Sequence, residues 1–389
     1  MVSGKVAVGS RDTFRALREQ EFRALDGVTY LNSASIGPIP ERARAAMEAF
    51  NARRSAPHLL PDSEQFGVLT ESRRLAAELL NVTPGEIALA TNTSYGLNVA
   101  AQALPLARGD TVILSDREFP AIVYPWLQLR DRGVNVEIAP VTPEGWPDEA
   151  YLLERAAAPD VRVVAVSLVQ FSSGYCVDLA RLSAATRASG AWLVVDAIQG
   201  VGSVPVDLTQ TPVDLLACGG QKWLLSPWGT GFVYVRRELI TMLRPPLAGW
   251  MAFEGTDDFT HLTDYQTEFR ADARRFELIT LPYQDFAAFN VSLAMLLEAG
   301  IDRVAEHTRE CQRPLLDLAA RGRVRVTSPS GASGSAIICV STADSVRDYA
   351  RLGSAGVIAS LREGSIRLSP HLFNTVDELA QVADLLARA

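Results

Sequence analysis

Only two lysines, Lys5 and Lys222, stand among the 37 basic residues of this sequence. Arginine serves nearly everywhere else a cation is needed. A lysine retained inside the apolar stretch Gly219-Gly220-Gln221-Lys222-Trp223 is therefore a candidate for chemistry that arginine cannot perform. A lysine amine loses its proton readily on burial and can then condense with a carbonyl to give an imine, whereas a guanidinium stays protonated. The alternative is chance retention, so Lys222 has to be weighed with its neighbours.

Two further segments supply partners for such an amine. Val194-Val195-Asp196-Ala197-Ile198-Gln199-Gly200 ends an apolar strand in a carboxylate. A buried carboxylate is costly without a cation, so Asp196 calls for one. A protonated pyridine nitrogen would serve, and the carboxylate would keep that ring an electron sink. Gln199 could donate to a phenolic oxygen on the same ring. Upstream, Thr91-Asn92-Thr93-Ser94-Tyr95-Gly96-Leu97-Asn98 follows a strand and opens a helix. Free N–H groups at a helix start hold phosphate, and Thr93 and Ser94 add hydroxyl donors. Taken singly, Asp196 and Thr93-Ser94 also read as ordinary N-caps. A phosphate cradle, a strand-end Asp and a glycine-preceded Lys in this order form a much more specific signal.

The elements that must position these residues are legible as an alternation. Strands are expected at 87–90, 111–114, 134–138, 163–169, 192–195, 215–218 and 231–235, with helices at 65–80, 98–103, 121–132, 148–157 and 179–189 between them. An amphipathic helix over 11–26 directs Phe14, Leu17, Phe22 and Leu25 to one face. A short strand at Tyr30 and a helix running from the Pro40 turn to Phe50 follow it. Continuous apolar strands separated by helices predict an α/β fold with a mostly parallel sheet covered on both faces. Ligands in such sheets bind beyond the carboxyl ends of the strands, where these motifs fall. After about 285 the pattern changes to helices at 286–299, 301–320 and 344–353, strands at 323–327, 335–341 and 365–369, and a last helix from Val376. The expected organisation is a large domain over 30–285 and a smaller α+β domain from 1–29 and 286–389.

Composition narrows the function classes. Hydrophobic residues make up 48% and charged residues 21%, which suits a folded globular chain. A net charge of −8 argues against nucleic acid or an anionic membrane as partner. No apolar run reaches the ~20 residues of a membrane span, and the first residues show no signal-peptide core, so a cytoplasmic protein is expected. Four scattered cysteines and four scattered histidines form no metal-ligand spacing, and no metal site is expected.

With these residues in view, the chain resembles the class V aminotransferase family of fold type I pyridoxal-phosphate enzymes, from about Tyr30 to about Leu379. That family includes cysteine desulfurases, kynureninase and isopenicillin-epimerase-like proteins. Asp196-Ala197-Ile198-Gln199 followed by Lys222 is similar to the family's DxxQ and Schiff-base lysine, and Thr93-Ser94 to its phosphate loop. The resemblance implies pyridoxal 5'-phosphate as cofactor. It assigns Phe119, in Glu118-Phe119-Pro120, to stacking on the cofactor ring. Gln221 takes the position before the lysine where many desulfurases carry His. Trp250, in Ala248-Gly249-Trp250, resembles a kynureninase-like cofactor-binding segment. Arg275-Phe276-Glu277 with Thr280 resembles a segment that reaches the phosphate of the neighbouring subunit, which implies a homodimer with shared active sites. Ile366-Arg367-Leu368-Ser369-Pro370-His371-Leu372-Phe373-Asn374 resembles R-x-S-x-H-x-Y-N, with Arg367 binding the substrate carboxylate and Ser35 in a pocket-shaping loop. Arg367, as a planar fork, suits a carboxylate bidentately.

The expected function is transamination of an amino acid or amino-acid derivative. A lyase or epimerase acting on such a substrate is the second reading, and a cofactor-retaining binding module the non-enzyme one. Desulfurases of the persulfide type need a nucleophilic cysteine just before the carboxylate-binding arginine. Residues 357–366 contain none, and Cys339 falls in a strand-like run where a thiol is inert.

Overall fold

The computed structural model describes residues 10–388. The chain enters with a helix over Ser10–Glu21, which buries Phe14 and then Phe22 just beyond it, while Leu17 and Leu25 pack at the edge of the same core. The helix stops five residues before 26 and continues as a 3-10 turn, Arg23–Leu25. A two-residue strand, β1 (Thr29–Tyr30), follows.

The strands β2 (Ile87–Leu89), β3 (Thr111–Ser115), β4 (Asn135–Ala139), β5 (Val161–Ser167), β6 (Trp192–Asp196), β7 (Leu215–Gly219) and β8 (Gly231–Val235) form one sheet in the order β2-β8-β7-β6-β5-β3-β4. The ladders among β7, β6, β5, β3 and β4 are parallel, and β8 runs antiparallel to β7 and β2. The two-residue alternation of a strand sends successive side chains to opposite faces. Val164, Val166, Leu193, Val195, Leu216 and Cys218 enter one buried cluster, and Val163, Ala165, Val194, Leu215 and Ala217 another. Both faces of the sheet are therefore covered, which is why its strands read as unbroken apolar runs.

Helices fill the layers on either side. Thr93–Ala103 packs on β7. Tyr283–Ala299 packs against Glu41–Arg54 and Asp62–Leu80. The stretch expected as a single helix over 121–132 is α-helical over Pro120–Leu127 and tightens into a 3-10 turn, Gln128–Arg132. Gly133 closes it at a φ of 82°, a left-handed geometry that suits glycine.

The last quarter of the chain builds a four-stranded sheet from β9 (Arg325–Val326), β10 (Ile338–Ser341), β12 (Ser360–Arg362) and β13 (Ser365–Leu368), in the order β12-β13-β10-β9 and antiparallel throughout. β11 (Val357–Ile358) instead pairs in parallel with β1, and Asn32 bridges to Ser369. The segment after Gly27 is thus stitched to the end of the chain. Strands β11 and β12 are too short to show a period in sequence. Ile338, Val340, Ile366 and Leu368 turn one face of this sheet to the core formed with helices Ile301–Ala320 and Val376–Ala387. The other face is polar and looks toward the carboxyl ends of the large sheet: the Cys339 thiol donates to Ser172 O at 3.1 Å and the Ser328 hydroxyl to Ser173 O at 2.5 Å.

Among the described residues no helix is long and apolar enough to cross a membrane. No group of three or more potential metal-binding side chains occurs among them.

Candidate active site

The carboxyl ends of β5, β6 and β7 lie side by side, with Ser167 opposite Asp196 and Asp196 opposite Ala217. Asp196 is 3% exposed. Its Oδ1 accepts from Ile198 N at 3.0 Å, which fixes the carboxylate at the mouth of the strand. Burial pushes the Asp196 carboxyl up to about 6, against the pull of the Ile198 N–H and of the Lys222 charge. The same burial drives the Lys222 amine down to about 8, with Asp196 opposing it. Each group makes the charged form of the other less costly, and the shared cause of both shifts is removal from water.

Lys222 stands on the loop that leaves β7. Two contacts lock this loop. Gly37 N donates to Gln221 O at 2.8 Å, so the segment following β1 lies directly against the lysine's backbone. A Cβ on Gly37 would sit 2.1 Å from Lys222 O, so only glycine fits. On the other side, Thr93 Oγ1 accepts from Gly219 N at 2.9 Å, tying the start of helix Thr93–Ala103 to the end of β7. Over Gly219 the side chains of Gln221, Thr93 and Ile198 converge: a Cβ there would meet Gln221 Oε1 at 2.6 Å and Thr93 Oγ1 at 3.2 Å. Asn92 Oδ1 accepts from Tyr95 N, which satisfies one helix-start N–H, while those of Thr93 and Ser94 lie before the intrahelical ladder begins.

The Phe119 ring faces the amine, with Lys222 Nζ 5.5 Å from its centroid. Phe119 is 43% exposed and meets Phe171 edge to face at 5.3 Å. Gln199 is buried and doubly held. Its Nε2 donates to Ala34 O at 2.9 Å and its Oε1 accepts from Trp223 Nε1 at 2.8 Å. One N–H of the amide remains to donate.

Arg367 is 2% exposed. Nη1 donates to Phe171 O and Nη2 to Ser35 Oγ, both at 2.7 Å, while Nε is buried without a partner. No carboxylate among the described residues forms an ion pair with it. Burial lowers its pKa to about 10, and the charge of Arg362 adds to the effect. A buried guanidinium without an anion is expensive, and the missing anion fits an incoming carboxylate. Ser35 Oγ also meets Ser360 Oγ at 3.1 Å, so the short segment after β1 and the small sheet hold the arginine jointly.

Of the residues expected from sequence, Lys222, Asp196, Thr93, Gln199, Gln221, Phe119, Arg367 and Ser35 converge on this cleft. Ser94, Trp250 and Thr280 lie on the surface, and no hydrogen bond among the described residues joins them to Lys222.

Four residues of the site escaped the sequence reading. The carboxylate of Glu118 accepts from Ser167 N at 2.8 Å and from the Ser167 hydroxyl. Burial pushes this carboxyl up to about 7, and the nearby Asp196 charge adds to the rise. Both amide atoms of Gln170 are buried without a hydrogen-bond partner, although the amide lies close enough to help hold down the Glu118 pKa. His371 accepts from Leu372 N at Nδ1 and donates from Nε2 to Trp223 O at 3.0 Å. It is a neutral imidazole whose pKa burial lowers to about 4. Trp223 links it to Gln199. Glu118 and His371 stood inside the quoted motifs, but their partners lie on distant segments and left no local signal.

The residues present fit a pyridoxal-phosphate cofactor: a buried amine for its aldehyde, a buried carboxylate for its ring nitrogen, a flat aromatic face, and a helix start for its phosphate. A family model, Aminotransferase class-V, matches residues 29–374. An uncharacterized aminotransferase of Bacillus subtilis (strain 168), YcbU, is 27% identical over 316 residues, 81% of this chain and 82% of the relative. A probable cysteine desulfurase of Methanothermobacter thermautotrophicus is 30% identical over 285 residues, 72% of this chain and 69% of the relative. Among solved structures, the cystine C-S lyase C-DES in complex with its reaction product cysteine persulfide superposes with a TM-score of 0.85 at 22% identity, covering 94% of this chain and 99% of that chain. The last likeness shows the fold, that of the fold type I pyridoxal-phosphate enzymes.

Proposed function

The chain belongs to the aminotransferase class-V family, whose cofactor is pyridoxal phosphate, and on that premise we propose that it transfers the amino group of a small amino acid or amino-acid derivative. The observation that carries this reading is the buried Arg367 guanidinium without a carboxylate partner, facing the cleft that holds the Lys222 amine.

In this reading Lys222 would hold the cofactor's aldehyde carbon, Asp196 the ring nitrogen, and Phe119 one ring face. Gln199 would donate its remaining N–H to the phenolic oxygen, and Thr93, Ser94, Gln221 and the helix start would take the phosphate. When bound, the cofactor supplies an electron sink for a negative charge developing at the substrate's α carbon. The protein's own part is positional. Arg367 and Ser35 fix the substrate carboxylate. The Lys222 amine, whose pKa burial lowers toward neutrality, is suited to take a proton from the substrate's α carbon and return it elsewhere. The buried Asp196 would keep the ring nitrogen protonated.

Trp250 and Thr280 enter the proposal through a second copy of the chain. Both lie on the surface, and Trp250, at 42% exposure, lines one depression with Tyr265 at 84%. An apolar surface of this kind suits an interface. We propose a homodimer in which Thr280 reaches the partner's phosphate site.

A persulfide-type desulfurase is not proposed. Residues 357–368 are engaged in β11, β12 and β13 and contain no cysteine, and the Cys339 thiol is buried, with its pKa raised to about 11. The second reading is a lyase or epimerase, because a base that takes the α proton also serves reactions that return it to the opposite face or expel a side-chain group. A visible absorption titration of the cofactor-loaded protein with an amino-acid panel, with products identified by mass spectrometry, separates them. A 2-oxoacid together with cofactor converted to its amine form is the outcome expected. An inverted amino acid or a released side-chain fragment would replace transamination with the second reading.

A further inference from the structure

The polar face of the small sheet carries a second arginine whose place the carboxylate site does not explain. Across the antiparallel β12–β13 ladder, Ser360 stands opposite Arg367, Leu361 opposite Ile366, and Arg362 opposite Ser365. Residues directly opposite share a face, and residues two apart on one strand share it too. Leu361 and Ile366 turn to the apolar core. Ser360, Arg362, Ser365 and Arg367 thus occupy the opposite face, where Ser360 donates to Asn32 Oδ1 at 2.6 Å and Arg367 reaches Ser35 and Phe171 O. β12 is the edge strand, so Arg362 stands at the rim of the cleft, about 7 Å along the strand from Ser360.

Arg362 is exposed and forms no ion pair among the described residues. Its single side-chain hydrogen bond among the described residues runs from Nη1 to the neighbouring carbonyl, Leu361 O, at 2.9 Å. Some surface arginines of this chain close onto carboxylates, as Arg74 does with Glu71 and Glu78, or Arg44 with Glu41 and Glu48; what sets Arg362 apart is its place on the face it shares with Arg367. The charge of Arg362 reaches the interior of the site. It joins burial, the main cause, in disfavouring the protonated forms of Lys222 and of Arg367. The cleft therefore presents two guanidiniums without anions, one buried at its floor and one free at its rim.

We propose that the substrate is an amino acid with an acidic side chain, its α-carboxylate held by Arg367 and its distal carboxylate by Arg362. Arg362 then sets specificity and takes no part in moving protons. Its placement on an edge strand leaves the side chain free to follow distal carboxylates at slightly different reach. This assignment rests on the amino-acid reading of the site given above.

The test compares L-aspartate and L-glutamate with L-asparagine and L-glutamine on the cofactor-loaded protein, wild type, Arg362→Gln and Arg362→Lys, by kcat/KM and by apparent Kd from the visible spectrum. The wild type should favour each acid over its amide by about tenfold or more. Arg362→Gln should lose that preference while its kcat/KM for the amides stays within about twofold, and Arg362→Lys should recover part of it. Calorimetry supplies a readout without turnover: glutarate should bind more tightly than butyrate to the wild type, and Arg362→Gln should remove the difference. Equal use of acids and amides by the wild type, or an equal loss for both in Arg362→Gln, would overturn the proposal. If no amino acid changes the spectrum or yields product, the fault lies with the amino-acid reading itself.

Discussion

Lys222 Nζ lies 5.5 Å from the centre of the Phe119 ring, and the two are held apart by separate segments, one leaving β7 and the other preceding the helix Pro120–Leu127. The gap is wider than a van der Waals contact and lies where a flat cofactor would enter. Phe119 supplies a face and Lys222 the reactive atom, and neither depends on the other for its position. Lys222→Ala should therefore leave far-UV circular dichroism and thermal unfolding near wild type while removing the visible absorbance of the loaded protein. Turnover should fall by at least ~10³-fold. Unchanged turnover would remove Lys222 from the mechanism.

Asp196 is tied to its own strand end by the Ile198 N–H and needs no other side chain to hold it. Asp196→Ala should retain part of the cofactor through the phosphate site and the imine but lose activity by roughly 10²-fold or more, since the ring nitrogen loses the anion that keeps it protonated. Wild-type rates in this variant would show that the carboxylate serves only as a structural cap.

Arg367 is held by two neutral acceptors and lacks an anion. Arg367→Lys keeps the charge but forfeits the planar fork. KM for the amino donor should rise roughly 10- to 100-fold, with a smaller effect on kcat. Ser35→Ala, which removes the partner of Nη2, should shift KM in the same direction by less. A fall in kcat at constant KM would place Arg367 in the chemical step.

The Lys222 amine, lowered to about 8, should set the pH dependence of cofactor capture. Reconstitution of the apoprotein with pyridoxal phosphate should accelerate as pH rises and level off above about 8, far below the range of an ordinary lysine. A rate still climbing steeply at pH 10 would mean that the amine is not buried as described.

Glu118 tests the same burial through stability. Its carboxyl, raised to about 7 in the folded protein, titrates near 4.3 when unfolded. Between these values the native state holds one more proton than the unfolded state, so stability from this group is present below about pH 4.3 and declines up to about pH 7. Glu118→Gln should flatten that decline in apoprotein denaturation curves, by at most roughly 4 kcal/mol. An unchanged pH profile would mean that Glu118 ionises normally.

Much of the site could be read from sequence because its chemistry depends on residue types that are costly elsewhere. A lone lysine in an apolar run, a carboxylate ending a buried strand and hydroxyls at a helix start each break the local pattern. The α/β layering was legible for the same reason, since fully buried parallel strands write themselves as continuous apolar runs. What stayed hidden is pairing across distance. Nothing near Gly231–Val235 announces that β8 runs against its neighbours, and nothing near Glu118 points to Ser167, 49 residues away. Helix ends were misjudged where the hydrophobic period carried on past the α-helix into 3-10 turns, as at Leu127.

The pairing of β1 with β11, and of Ser35 with Arg367 across 332 residues, has a consequence for how the protein comes into being. A ribosome releases Thr93, Asp196 and Lys222 well before it makes Arg367, so the groups that would retain the cofactor exist before those that would recognise a carboxylate. The early part of the chain nevertheless keeps Ser35 waiting for a partner from the far end. On the proposed roles, recognition of a carboxylate completes late in synthesis, and a product truncated before β13 would carry Thr93, Asp196 and Lys222 without Arg367.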